Sequence, residues 1–267
     1  MNIDFHAHIF PDTLAPRAIA ALRENSNVSN FLDGTIADLR RSMRRYEVTR
    51  SVLLPIATKP EQVIPINSSC TGLMAPETIP FGTLHPNFPN PGDEVERLVS
   101  LGIKGIKLHP EYQDFYIDDP SFFPAYEALQ EKGLIVVFHA GKDPGPFTCD
   151  HALPPALLKV MTSFPRLTIV ASHMGGWMVW DEVEAILAGK PIIFDCSAVY
   201  KYLESDRFVR LVHKHGAENV VFGTDSPWYD QGDVIRWIKE TDLSDQQKES
   251  IFSGTALRIL EQAKVPA

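Results

Sequence analysis

Eight short apolar runs, rich in valine, isoleucine and leucine, recur along the whole chain and set its architecture. Several of them, such as Leu134 to Phe138, are continuously apolar, which is typical of strands buried on both faces of a parallel sheet. The pattern therefore predicts eight parallel strands. The runs lie at residues 2–8, 50–57, 79–85, 103–109, 134–140, 167–174, 192–198 and 219–225.

The segments between these runs carry signals that begin and end helices. Asp119 followed by Pro120 is an N-cap with proline at the first helical position, and Gly133 stands where that helix should end. Ser244 and Gln247 form a capping box for a late helix. Further helices are predicted over residues 35–46, over residues 93–101 and from residue 205 onward.

Strands that alternate with helices predict parallel βαβ units. A (β/α)₈ TIM barrel typically needs about 250 residues, so we predict a single α/β barrel domain over residues 1–267. The long first interval predicts an extra helix or loop between Phe10 and Asp33. The alternative is an open doubly wound sheet, but the glycine-rich phosphate loop that usually follows its first strand is absent from this sequence.

Composition narrows the classes of partner and compartment. A net charge of −9 gives no basic face for nucleic acid, and no run approaches the roughly 18 apolar residues of a membrane-spanning helix. Three cysteines, an odd number, favour free thiols in a reducing compartment. Because the N-terminus has no signal-peptide pattern, we expect a cytoplasmic protein, with a homodimer left open.

Histidines concentrate at the predicted carboxyl ends of the strands. In a barrel these ends meet at one mouth, where barrel active sites form. Because an imidazole at an apolar strand end needs a partner, this placement predicts a functional site. Six of the nine histidines stand there: His6, His8, His85, His109, His139 and His173.

His6 and His8 are two residues apart on a strand, so their side chains point the same way, roughly 6.6 Å apart along the strand. Alone, the pair could simply be two hydrogen-bonded polar side chains. With His139 and Asp225 added, it predicts a metal site. His139 could instead be a core residue hydrogen-bonded to a backbone carbonyl, and Asp225 could instead cap the next segment. Gly141, two residues after His139, permits a close approach of another backbone segment.

His173, in the segment Ala-Ser-His-Met-Gly-Gly, is either a further ligand or, as we favour, a catalytic group beside the metal. Two to four histidines, one aspartate and an open position describe a catalytic rather than a structural zinc site. We therefore predict one divalent ion rather than two, zinc or an alternative such as Mn²⁺.

The order of the candidate site residues resembles the amidohydrolase superfamily. Strand one supplies His6 and His8, and strands five, six and eight supply His139, His173 and Asp225. These residues are most similar to the superfamily's amidohydrolase-related branch, which includes the aminocarboxymuconate-semialdehyde decarboxylase type. The likeness extends from residue 2 to about residue 262, and it includes residues 4–8, 105–110, 138–141, 172–176 and 223–227. The resemblance implies a divalent metal, usually zinc, with His173 as a catalytic group beside it. The ligands that it implies are His6, His8, His139 and Asp225.

Two departures from the branch are visible. Relatives commonly carry Asn-Ala before the last helix, where this chain has Thr255-Ala256, and threonine can also cap a helix. Decarboxylase-type relatives place arginines near the pocket to hold a carboxylate. The residues after His173 read Gly-Gly-Trp-Met-Val-Trp-Asp-Glu and contain no arginine, which weakens the decarboxylase interpretation.

Four further residues are predicted to contact substrate. In binuclear members of the superfamily a carbamylated lysine bridges two metals, but Lys107 is more simply placed to bind an anionic group or pair with a carboxylate. His109 either contacts substrate or anchors a loop through hydrogen bonds. The same two alternatives apply to His85. Trp177 and Trp228 follow strands six and eight closely enough to wall an apolar pocket.

Three other side chains fall outside the predicted site. Trp180 is expected to pack in the helix layer, whereas His213 and His215 belong to a helix and are expected to face solvent.

The resulting hypothesis is a metal-dependent hydrolase that attacks an amide, lactone or ester of a small molecule with activated water. Asp225 would accept the water proton, and His173 would stabilise the oxyanion or the water. The alternative is a non-oxidative decarboxylase on the same site, in which His173 protonates carbon. A third possibility is a barrel that binds a metal or ligand without turnover.

Overall fold

The protein, seen in a computed structural model that describes residues 1–26 and 28–263, contains parallel strands in the order that the apolar runs predict. Each of the eight runs holds a strand, and the third holds two short ones. The strands are β1 Asn2–Ala7, β2 Val48–Leu53, β3 Thr78–Pro80, β4 Gly82–Thr83, β5 Gly105–Leu108, β6 Ile135–Phe138, β7 Thr168–Ala171, β8 Ile193–Asp195 and β9 Val220–Val221.

The strands close into an eight-position barrel. β1, β2 and β3 form one parallel sheet and β4 to β9 another, and β3 and β4 are two parts of one barrel strand around Phe81. The seam between β9 and β1 is closed by the Phe5 N–H, which donates to the Phe222 carbonyl at 2.8 Å. The predicted (β/α)₈ barrel is confirmed.

Helices follow the strands around the barrel, and the local signals placed most of them correctly. The Ser244–Gln247 capping box is present, and Gly133 ends its helix at φ 69°. The helices are α1 Ala15–Ser26, α2 Ile36–Arg45, α3 Val63–Cys70, α4 Pro91–Ser100, α5 Pro110–Gln113, α6 Phe123–Lys132, α7 Pro154–Ser163, α8 Trp180–Ile186, α9 Ser205–His215, α10 Gln231–Glu240, α11 Asp245–Glu249 and α12 Thr255–Gln262.

Helix α1 occupies the long first interval, as predicted. The helix expected after Asp119 begins with a 3₁₀ turn, Pro120–Phe122, and the Asp119 side chain accepts a hydrogen bond from the Ser121 N–H of that turn. Throughout the described part of the chain, each helix is too short or too polar to cross a bilayer. The proposed domain limits of 1–267 stay a prediction, and residues 264–267 lie outside the described residues.

Alternate residues of the strands divide between an inner core and the helix layer. In β6, Ile135 and Val137 belong to the cluster inside the barrel, whereas Val136 and Phe138 pack against the helices. Helix α12 contributes to the inner cluster, so apolar packing fills the barrel below the site. Because side chains alternate along a strand, His139 follows Val137 on the inner side.

Candidate metal centre

Three of the four predicted ligands converge at the carboxyl end of β1. The Nε2 atoms of His6 and His8 are 3.0 Å apart, and Asp225 Oδ1 lies 3.4 Å from the first and 3.3 Å from the second. Metal–ligand bonds of about 2.0–2.1 Å separate tetrahedral ligand atoms by roughly 3.3 Å. The spacing therefore fits a single divalent ion.

The hydrogen bonds behind these ligands fix which ring nitrogens are bare. His6 donates from Nδ1 to Asp195 Oδ2 at 2.9 Å, and His8 donates from Nδ1 to the Leu54 carbonyl at 2.7 Å. Both Nε2 atoms are consequently acceptors, and so is the Asp225 carboxylate. Three lone-pair acceptors this close repel one another unless a cation lies between them, so the donor set fits a metal.

The charge states also suit metal binding. Burial, with a contribution from the Lys107 charge, lowers the pKa of His6 to about 4, so the ring is neutral at pH 7. Burial opposes ionisation of Asp225, but its close contacts with His8 and the other imidazoles outweigh burial and hold the pKa at about 2. Neutral imidazoles and an ionised carboxylate are the forms that bind divalent ions.

The imidazoles of His139 and His173 lie next to each other beside the first group and form a second pair of possible metal ligands. The His139 Nε2–H donates to the Lys142 carbonyl and the His173 Nδ1–H to the Ser197 carbonyl, each at 3.0 Å. Their other nitrogens, Nδ1 of His139 and Nε2 of His173, are therefore bare and face each other at 3.1 Å. His139, predicted to complete the first group, stands with His173 instead of within the cluster of His6, His8 and Asp225.

Another group of close side chains joins His139 to His109 and Asp143, but the His139 Nε2 that faces Asp143 carries the proton donated to Lys142, so in this tautomer it cannot bind an ion there. Asp143 Oδ2 lies 3.5 Å from Nε2 of both histidines, whose rings stack with centroids 4.2 Å apart. Sequence reasoning overlooked Asp143, although it follows His139 by four residues. Burial raises the pKa of the Asp143 carboxyl to about 6.

Asp195 is the most important residue that the sequence analysis missed. Besides accepting from His6, its carboxylate accepts from the His173 N–H at 3.1 Å and the Ser197 N–H at 2.9 Å. Burial opposes its ionisation, but the hydrogen bonds that Asp195 accepts from His6 and Ser197 prevail and keep the pKa of Asp195 well below its usual range. An aspartate in the middle of the apolar run 192–198 was the available signal.

The backbone at the strand ends is shaped for these contacts. His173 and Asp225 have φ values of 59° and 64°, unusual for residues other than glycine, and both turn sharply out of their strands. Trp180, expected only to pack, also donates from Nε1 to the His173 carbonyl at 3.0 Å. At Gly141, φ is 85° and a Cβ would collide with the Trp177 backbone, which confirms the predicted close approach.

Lys107 lies at the base of the centre and is fully buried. Its Nζ is 3.4 Å from His6 Nε2 and 3.3 Å from Ser172 Oγ, so it contacts an imidazole and a hydroxyl rather than pairing with a carboxylate. Burial lowers the pKa of Lys107 to about 8. Because Lys107 lines the cavity beside His6 Nε2, its amino group lies next to the candidate ligands.

A cavity of about 760 Å³ opens above these residues. The four predicted substrate contacts all line it, and no described lining residue is an arginine. His85 accepts the Asn87 N–H at 3.1 Å, which corresponds to the loop-anchoring alternative. The cavity-lining residues of the predicted site are Lys107, His109, Trp177 and Trp228, together with His6, His8, His139, His173 and Asp225.

Comparison with known proteins gives a family match over nearly the whole chain. The family model described as amidohydrolase matches residues 3–262. A dihydroorotase from Mycosarcoma maydis is 25% identical over 204 residues, which cover 65% of this chain and 51% of that protein. A 2-amino-3-carboxymuconate-6-semialdehyde decarboxylase from Dictyostelium discoideum is 26% identical over 201 residues, 61% of this chain and 55% of that protein. The chain thus spans about half the length of these curated relatives.

A solved structure shares the fold more completely. The 5-carboxyvanillate decarboxylase from Novosphingobium aromaticivorans, complexed with manganese and 4-hydroxy-3-methoxy-5-nitrobenzoic acid, superposes with a TM-score of 0.76 at 16% identity. The superposition covers 98% of this chain and 96% of that one. Together these matches agree with the resemblance found in the sequence.

Proposed function

The chain belongs to the amidohydrolase family, and on that premise we propose that it is a metal-dependent hydrolase acting on an amide, ester or lactone of a small molecule. The observation that carries the proposal is the group of three bare acceptor atoms at His6, His8 and Asp225, which faces an open cavity. A catalytic metal site needs both features, ligands that hold the ion and space for substrate beside it.

In this proposal His6, His8 and Asp225 hold one divalent ion, and His139 supplies its bare Nδ1 as the fourth ligand by moving towards them from its place beside His173. Imidazole and carboxylate ligands suit zinc, and manganese is supported by its presence in the Novosphingobium relative. When bound, such an ion supplies Lewis acidity, which makes a carbonyl carbon more electrophilic and water more acidic.

The chain's own groups then position water and move the proton. The ionised Asp225 carboxylate accepts a proton from the attacking water and returns it to the leaving group. His173, with its Nδ1–H donated to the Ser197 carbonyl, presents a bare Nε2 that accepts a hydrogen bond from that water. This tautomer favours holding the water over donating to an oxyanion, the other role that the sequence left open.

The absence of arginine from the described cavity lining favours hydrolysis over decarboxylation. A carboxylate substrate needs a cation to offset its desolvation, and arginine suits it best because it binds both oxygens. The only cationic side chain along the described lining, apart from histidine, is Lys107. The second candidate, a decarboxylase, is supported by the printed activities of the Dictyostelium and Novosphingobium relatives.

Metal content tests the ligand assignment. The double variant His6→Ala/His8→Ala should lose stoichiometric zinc or manganese, measured by elemental analysis of protein purified without chelator. His213→Ala, at an exposed histidine on α9, is the matched control and should keep the wild-type metal content. Full metal content in the double variant would refute the assignment.

Turnover tests the reaction. Wild-type protein should hydrolyse members of a panel of lactones, esters and amides, and Asp225→Asn should reduce that rate by at least about a hundredfold while the fold is kept. Circular dichroism and metal analysis of the variant separate lost chemistry from lost structure. Release of carbon dioxide from aromatic or enol carboxylates, with no hydrolysis of the panel, would instead establish the decarboxylase.

A further inference from the structure

We propose that the substrate carries an uncharged apolar tail, which lies in the part of the cavity enclosed by α1, α2 and α3. The inference rests on the proposed function, because the bond to be cleaved must sit at the metal centre. It goes further in naming the chemical class of the rest of the substrate and the residues that select it.

The cavity has two chemically different ends. Histidines, Lys107 and Asp225 form one end, at the mouth of the barrel. The other end extends away from the metal centre, past the ends of β1 and β2, and its wall is mainly aliphatic, with a few uncharged polar side chains such as Ser26 and Ser69. At about 760 Å³ the whole cavity falls within the roughly 300–1,000 Å³ of small-molecule sites. The aliphatic wall includes Leu22, Val28, Ile36, Ile56, Ile66 and Leu73.

These aliphatic side chains are only partly packed: Ile36, Ile66 and Leu73 contact the core on one side, and all six line the cavity. All six are half-buried, and they share one cavity surface instead of contacting a neighbouring element over their whole area. Helix α1 shows the effect, since it buries only Ala15 and Ile19 and turns Leu22 to the cavity. Apolar surface that lines a cavity favours an apolar occupant, because binding removes that surface from water.

The six aliphatic side chains of the wall offer no charge that could pair with an ionised tail. Lys107 stands at the metal end, whereas Asp12 and Glu61 are exposed at the rim and repel an anion. Among the described lining residues, the aliphatic end contains no charged group. A carboxylate or ammonium placed there would lose its hydration without gaining a partner. The tail must therefore be uncharged as well as apolar.

Binding of alkyl hydroxamic acids tests this directly, because their head group chelates zinc or manganese and their tails differ only in length. Calorimetry on metal-loaded protein should give affinities that rise about threefold to fourfold per methylene from acetohydroxamate upward, since each buried methylene contributes roughly 0.8 kcal/mol. The rise should stop once the aliphatic end is filled.

Two variants that fill the aliphatic end locate the tail. Leu22→Trp and Ile66→Trp should each lower the ratio of decanohydroxamate affinity to acetohydroxamate affinity by at least tenfold. Ala21→Trp is the matched control: it adds the same side chain to the exposed face of α1 and should leave the ratio unchanged. Thermal melts confirm that each variant is folded, and two sites on different helices guard against failure of either.

The outcomes separate this inference from the proposed function. Acetohydroxamate that binds with no dependence of affinity on tail length, or tail-length dependence that survives in both tryptophan variants, would overturn the apolar-tail proposal alone. Hydroxamates that fail to bind metal-loaded protein at all would overturn the metal centre and the tail proposal together.

Discussion

Single hydrogen bonds decide what each histidine at the barrel mouth can do. His8 and His173 are held by backbone carbonyls, and His6 is held by the Asp195 carboxylate. In each case the nitrogen that faces the cavity is left without a proton. These distant partners therefore set the ligand chemistry as firmly as the histidines themselves.

Asp195 should act as a positioning residue, because it fixes the His6 tautomer and orients the turn at His173. Asp195→Asn should weaken metal affinity by about tenfold to a hundredfold, measured by competition with a chromogenic chelator. Cys196→Ala is the control, since the thiol of this buried neighbour hydrogen-bonds to the Gly223 carbonyl instead of a ligand, and its affinity should match wild type. Equal affinities in all three proteins would contradict the role given to Asp195.

Much of the residue-level chemistry was predictable, and its limits have a physical cause. Histidine at a strand end is costly without a partner, so His6, His8, His139 and His173 stood out from the pattern alone. Asp195 did not, because its importance depends on a contact with a residue 189 positions away. Only folding brings such partners together.

Among the structural elements, α9 has a larger buried face than we predicted. His215 was expected to be solvated, but it is buried: its Nε2–H donates to the Ile192 carbonyl at 2.9 Å, and its ring stacks on Phe194 at 3.7 Å. The expectation was wrong because the buried face of α9 includes the last residue of the helix. Phe208, Leu211, Val212 and His215 follow the helical repeat of one buried face.

Burial of His215 should make stability depend on pH. Burial lowers the pKa of His215 to about 4 in the folded protein, whereas the pKa in the unfolded chain is 6.5. As the pH falls, the histidine is therefore protonated in the unfolded state before it is protonated in the folded state. The contribution of the neutral His215 to the free energy of unfolding is fully present above pH 6.5. It is lost as the pH falls towards 4, and the loss amounts to at most about 3 kcal/mol. Denaturant unfolding should show the wild type losing stability relative to His215→Phe as the pH falls across this window.

The phenylalanine variant keeps an aromatic ring against Phe194 but cannot titrate, so it isolates the contribution of His215 from those of the other buried histidines. His213→Phe, on the exposed side of the same helix, should follow the wild-type pH dependence. A constant difference between wild type and His215→Phe from pH 7 to pH 4 would contradict the prediction.

At the scale of the whole molecule, the candidate metal centre lies on the seam that closes the barrel. His6 and His8 come from the start of the chain, and Asp225 comes from the loop after β9. The Asp225 N–H donates to the His6 carbonyl at 2.8 Å, and the buried Asp4 carboxylate accepts from Thr224 and Gln231. A bound ion would add one more link between the first and last strands.

Removing the metal should therefore destabilise the entire fold. Binding to the native state alone stabilises by about 4 kcal/mol at a free ion concentration a thousand times the Kd, so chelator treatment should lower the melting temperature and added zinc or manganese should restore it. Differential scanning calorimetry measures the shift. An equal shift in the His6→Ala/His8→Ala variant would show that the ion acts elsewhere.

The sequence by itself determined the barrel, its eight strand positions, most helix ends and the kind of chemistry at the mouth. These follow from local periodicity, from capping residues and from the cost of polar groups in apolar runs. Tertiary structure alone decided how the donors divide among His6, His8 and Asp225, the His139–His173 pair and the group around Asp143. It also created the aliphatic end of the cavity between α1, α2 and α3. Distances between remote residues, and the volume left between helices, have no local signature in the sequence.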